Sequence, residues 1–188
     1  MKRTWRTLGM LAGASIAAGC ATTAASPDYD ALASAMVKAS FREQGIARLD
    51  RLEQDALQEA CSHEQPPSEA VVQRLQAEAL AGVRWPQDGR YLGDWKEGEK
   101  LAQNGRGMTW TDPAGSPSGG NCYNCHQISR SEIAYGTIGP SLAQYGKRRG
   151  ITDPAAPAAM PVVQYTWGKI WNAKAYNACS GMPRFGHA

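Results

Sequence analysis

Apolar residues recur at helical spacing along most of the chain, and no segment alternates as a strand would. From Asp28 to about Ala60, residues Leu32, Met36, Ile46, Leu49, Leu52, Ala56 and Leu57 keep that spacing among charged neighbours, which predicts a helix. Pro66-Pro67 stops it. Ser68 then stands at an N-cap position with Glu69 in the first turn. This predicts a second helix to about Val83, with Val71, Val72, Leu75, Ala79 and Leu80 on its apolar side. Trp85-Pro86 and Asp88-Gly89 read as a turn. Asp94, with Glu97 three residues on, reads as the capping box of a third helix over 95–103 that Asn104-Gly105 ends. Gly105, Gly107, Pro113, Gly115, Pro117, Gly119 and Gly120 predict loop over 105–121. Ser141 to Lys147 allows one or two helical turns, and the Pro/Ala-rich 152–161 is loop. Val162 to Tyr176 returns to helical spacing, with Val163, Trp167, Ile170, Trp171 and Ala175 on one side. The expected fold class is all-α with long loops.

The N-terminus has a different pattern. Met1 to Thr7 is short and positive, and an 11-residue apolar stretch, Leu8 to Ala18, follows. That is too short to span a bilayer and fits an export signal. Two processing routes fit the next residues. In one, Ala-Ala-Gly-Cys at 17–20 is a lipoprotein cleavage site and Cys20 carries lipid. In the other, cleavage follows Ala25. Both put the mature protein in the periplasm, membrane-anchored in the first case. The formal charge of +3 resides in Lys2, Arg3 and Arg6; the remaining chain has 17 bases and 17 acids. That balance argues against nucleic acid as a partner. With only Phe41 and Phe185 as phenylalanines, the core has few large purely apolar residues, and another group is a candidate to fill its centre.

Cys122-Tyr-Asn-Cys125-His126 carries the chemistry. Cys-x-x-Cys-His is the attachment signature of one covalent haem c. Two thiols three residues apart reach the two vinyl groups on one porphyrin edge, and the adjoining imidazole lies under the iron. A zinc site would need two further ligands at metal spacing, and Cys61, Cys179, His63 and His187 do not supply such a pair. A dithiol redox motif would need a preceding strand and a βαβ setting. A proximal imidazole also needs an acceptor for its other ring N–H. The carbonyl of Pro140 is the candidate, and Leu142 would pack on the haem face.

For the sixth ligand, Met160 and Met182 both precede a proline that stiffens the loop. Met182 follows the last predicted helix and is the better placed. Met160 lies in the Pro/Ala loop, and Cys179 is a further candidate as a thiolate. His/Met ligation would raise the reduction potential and leave iron with no open position, so the centre would move one electron. In an oxidising compartment Cys61 and Cys179 can pair as a disulfide; two separate buried thiols are the alternative.

Five blocks resemble one family: Asn121 to Gln127, Tyr135-Gly-Thr-Ile-Gly-Pro-Ser-Leu142, Tyr165-Thr-Trp-Gly-Lys-Ile-Trp-Asn172, Ala178-Cys-Ser-Gly-Met-Pro-Arg-Phe-Gly-His187, and Leu92 to Leu101. They resemble SoxX, the monohaem cytochrome c subunit of the SoxXA complex of bacterial thiosulfate oxidation. The resemblance implies a class I cytochrome c domain over 89–188, after a signal peptide (1–19) and a tether with helical extension (20–88). It implies Cys122 and Cys125 as haem attachments and His126 and Met182 as iron ligands. It implies a SoxA-like cytochrome partner that holds the catalytic haem, a SoxYZ-like carrier whose cysteine is coupled to thiosulfate, and a downstream soluble cytochrome c. This chain would then be a non-catalytic redox subunit of an L-cysteine S-thiosulfotransferase. A free-standing electron carrier is the alternative. Family members continue past the Phe-Gly-His block into a C-terminal helix. A chain ending at Ala188 is therefore expected to lack that helix, and to have lower stability and potential than a longer relative.

Overall fold

The computed structural model describes residues 26–187. The signal region and Cys20 lie outside the described residues. Two compact units divide the chain between Ser40 and Phe41. The described part of the first holds helix α1, Tyr29–Ser40, with every residue exposed.

The second unit is helical, and among its described residues the one extended pairing is an isolated bridge between Gln44 and Ala47. Its helices are α2 (Ala56–Ala60), α3 (Glu69–Ala81), α4 (Trp95–Gln103), α5 (Tyr145–Arg148) and α6 (Met160–Trp171). Short 3₁₀ turns form at Leu49–Leu52, Cys122–Asn124, Pro157–Ala159, Ala173–Ala175 and Phe185–His187. The all-α reading therefore holds at the level of class.

The 28–60 stretch is not one helix. Gly45 has φ +54°, and a Cβ on it would fall 2.0 Å from the Trp110 carbonyl oxygen. The backbone turns there to receive the 105–121 loop, a contact that local periodicity does not encode. Helix α2 starts afresh with a full capping box. Asp55 Oδ1 accepts from Gln58 N at 2.8 Å, and Gln58 Oε1 accepts from Asp55 N at 2.9 Å. Ser68 caps α3 by accepting from Val71 N. Asp94 caps α4 by accepting from Lys96 N, without the box the sequence suggested; Glu97 instead pairs with Lys100 at 2.7 Å. Helix α6 begins two residues earlier than its pattern indicated, because Met160 enters the helix with Pro161 in its first turn.

The core joins residues from both sides of position 88. Leu57, Leu75, Ala79, Val83, Ala175 and Ala178 are buried together, with Trp167, Trp171 and Tyr176 packed around them. Helix α3 thus lies against the 173–178 turn that follows α6. Among the described residues, Leu75 is the one large side chain that is fully buried. Two glycines make the α6 packing possible. A Cβ at Gly168 would fall 2.2 Å from Tyr176 Oη, and one at Gly186 would fall 2.4 Å from the Trp171 ring. No described helix is long and apolar enough to cross a membrane.

Candidate functional site

The motif sits on a 3₁₀ turn over Cys122–Asn124, entered through Asn121 at φ +47°. Asparagine tolerates this left-handed conformation better than most side chains. The turn closes when His126 N donates to Cys122 O at 2.8 Å, so the two cysteines and the histidine occupy one tight loop. Helix α4 supports it: Asn121 N donates to Asn104 O at 3.0 Å, and Gln103 Nε2 donates to Tyr123 Oη at 3.0 Å.

A second segment, 136–142, runs along the motif. Gly136 N donates to Tyr123 O, Gly139 N to Cys125 O and Leu142 N to Gln127 O, each at 2.7 Å. Alternate motif carbonyls are therefore held by every third residue of the neighbour. Ser141 Oγ adds a bond to Gln127 Oε1 at 2.9 Å. The approach is close enough to need glycine. A Cβ at Gly136 would fall 1.7 Å from Asn124 O, and one at Gly139 would fall 2.2 Å from His126 Cε1.

This lacing fixes the imidazole. His126 Nδ1 lies 2.7 Å from the Pro140 carbonyl oxygen. A carbonyl only accepts, so Nδ1 donates the proton, and in the neutral tautomer this leaves the lone pair on Nε2. Cys122 and Cys125 are free thiols, both half-buried. Burial pushes the Cys122 thiol up from its ordinary value, its own backbone amide opposes that, and the nearby Cys125 adds to it. Apolar side chains stand open around the loop: Ile138 is 87% exposed and Ile133 fully so, while Leu142 is half-buried.

Met182 is half-buried on the turn after α6, with its N–H donating to Ser180 Oγ at 3.2 Å. The Phe185 ring reaches the motif side of the unit, since its Cε1 lies 3.6 Å from where a Gly120 Cβ would be. Two long-range ties bracket Met182. Cys61 and Cys179 form a disulfide with Cα atoms 5.4 Å apart. Arg184 Nη1 donates to Asp55 Oδ2 in a partly buried ion pair. Burial would raise the Asp55 carboxyl, but the Gln58 N–H and the Arg184 hydrogen bond and charge outweigh it and hold the pKa below the ordinary value. Lys174, lowered by burial first and by Arg184 second, donates to Ala178 O at 3.3 Å in the same corner. Met160, the other methionine considered, starts α6 at the surface.

Spacing alone indicated the thiols and His126. Asp55, Arg184, Gly136 and Gly139 emerge from the packing; of these only Asp55 had a local signal, the Asp-x-x-Gln capping box. Among the described residues no three His, Cys, Asp or Glu side chains gather to hold a metal ion, and the Cys61–Cys179 bond removes both thiols from that chemistry.

No protein-family profile matches the chain. A protein of Aquifex aeolicus (strain VF5), described as an uncharacterized lipoprotein, is 37% identical over 138 residues, covering 71% of this chain. The chain spans 61% of that relative's length.

Proposed function

We propose that this chain is an exported c-type cytochrome that carries single electrons. Haem c would be held by Cys122 and Cys125 as attachment residues and by His126 and Met182 as iron ligands. The observation that carries the reading is the His126 ring, set directly after Cys-x-x-Cys, with Nδ1 given to Pro140 and Nε2 left to bind. The residues fit the group. The thiols share one turn, Gly139 leaves room for the ring, and open apolar side chains suit a flat apolar macrocycle. When bound, haem would supply a one-electron iron couple.

The chain's own residues do the rest. Cys122 and Cys125 would hold the group by thioether bonds through their free thiols. Pro140 fixes the tautomer and plane of His126 and raises its basicity as a ligand. Met182 would offer a neutral thioether, a ligand that favours the reduced ion. With His126 and Met182 both given to the iron, the group would supply electron transfer and leave no place there for a substrate.

The class I cytochrome c fold belongs to this proposal, as does the role of a SoxX-like subunit. There the chain would take electrons released when a SoxA-like partner couples thiosulfate to a SoxYZ-like carrier. Sulfur–sulfur coupling removes two electrons and one haem accepts one, so this chain alone cannot complete that reaction. The lipoprotein description of the Aquifex aeolicus relative supports export, with anchoring through Cys20.

The test is a pyridine haemochrome spectrum on exported protein, beside a Cys122→Ser/Cys125→Ser variant. A c-type spectrum in the first and none in the second is the expected result. Colourless wild-type protein would refute the haem, and thiosulfate-independent behaviour with a SoxA-like partner would refute the subunit role.

A further inference from the structure

The two ties that bracket Met182 lead to the same place. Cys179, three residues before it, is bonded to Cys61 at the C-cap of α2. Arg184, two residues after it, is paired with Asp55 at the N-cap of the same helix. We infer that the α2 corner is a clamp for the Met182 loop, with Asp55 and Arg184 as positioning residues; this rests on the haem reading above.

Three features make a clamp of the corner. First, it is anchored, because Leu57 of α2 is buried in the core with Leu75 and Ala178. Second, Asp55 divides its oxygens. Oδ1 caps α2 through Gln58 N at 2.8 Å while Oδ2 is left for Arg184. The guanidinium therefore meets a carboxylate already fixed in place. Third, only 180–183 lie between the ties, and Pro183 removes one of their backbone freedoms. The clamp matters because a thioether carries no charge to hold it on iron. How often it leaves depends on how freely its loop opens, so restricting the loop lowers the cost of ordering it on ligation.

The test uses haem-loaded, exported full chain and the variants Asp55→Asn, Arg184→Gln and Arg184→Lys. Asparagine still caps a helix, so Asp55→Asn removes the ion pair while leaving α2 its start. Imidazole is titrated into the ferric protein, where it competes with Met182. Asp55→Asn and Arg184→Gln should each raise imidazole affinity on the order of tenfold, the equivalent of one charged hydrogen bond. Both should weaken the near-infrared band of thioether ligation and lower the potential, and Arg184→Lys should restore part of each. Gly45→Ala, which strains the backbone at the Trp110 contact outside the α2 corner, should cost stability yet leave imidazole affinity unchanged. Wild-type affinity and potential in both pair-breaking variants would overturn the clamp while the haem reading stands. A negative haemochrome in the wild type would overturn both.

Discussion

Gly139→Ala tests the lacing around His126. A Cβ at 139 would lie 2.2 Å from His126 Cε1, 2.5 Å from Nδ1 and 2.7 Å from Nε2. Carbon atoms rest at about 3.5–4.0 Å, so either the ring or the backbone must give by about 1.3 Å or more. If the ring moves, the 2.7 Å contact to Pro140 opens beyond hydrogen-bond range. If the backbone moves, the 2.7 Å bond from Gly139 N to Cys125 O is lost instead. Either route loses one hydrogen bond, about 1 kcal/mol, and adds overpacking strain of about 1–3 kcal/mol. The expected loss is about 2–4 kcal/mol of unfolding free energy, from urea midpoints on haem-free protein that carries Cys122→Ser/Cys125→Ser. The same change in haem-loaded protein should lower haem yield, because the ring can no longer give Nδ1 to Pro140 and aim Nε2 together. Gly93→Ala is the control. Nothing lies within 4 Å of its Cβ and its φ is not in the left-handed region, so it should be neutral or stabilising by up to about 1 kcal/mol. Equal midpoints for Gly139→Ala and Gly93→Ala, within about 0.5 kcal/mol, would refute the reasoning.

Other parts of the unit give further predictions. Cys61→Ser/Cys179→Ser opens a link that spans 118 residues and should cost about 2–5 kcal/mol, with dithiothreitol lowering the wild-type urea midpoint and leaving the variant's unchanged. Asp55 is held below its unfolded value of 3.8, so its contribution is complete above that pH and disappears as pH falls through the lower folded value. The stability gap between wild type and Asp55→Asn should therefore narrow below about pH 4 in a series of urea melts; a gap constant down to pH 2 would contradict it. Leu75→Ala removes the most enclosed large side chain and should cost about 2–5 kcal/mol; a loss under 1 kcal/mol would mean the core there is not close-packed.

Much of this fold was legible where the deciding contact is local. Ser68 and Asp94 announce α3 and α4 because a capping side chain bonds two or three residues away, within reach of any sequence window. The 28–60 stretch keeps helical spacing across a break at which Gly45 turns the chain against Trp110, 65 positions later. Helix α6 started early because Pro161, read as a loop residue, suits a first helical turn. In the candidate site the same division holds. The two thiols and the imidazole share one turn, so spacing alone brings them together. The partners of the second segment are 13 to 15 residues off, and among them Pro140 was within reach of reasoning while the steric need for Gly136 and Gly139 was not.

That division also separates the two sides of the proposed iron centre. His126 is oriented by Pro140, 14 residues away, through contacts that the 121–142 segment and α4 make among themselves. Met182 is constrained by partners 118 and 129 residues from their tie points, in a corner that exists only when α2 and α3 pack against the 173–178 turn. Local contacts survive partial loosening better than non-local ones, because closing a long loop costs chain entropy that only a formed core offsets. The imidazole side is thus held by the motif itself, and the thioether side by the fold as a whole. Sequence between 41 and 88 that contributes no ligand would therefore act on the proposed centre through one disulfide and one ion pair.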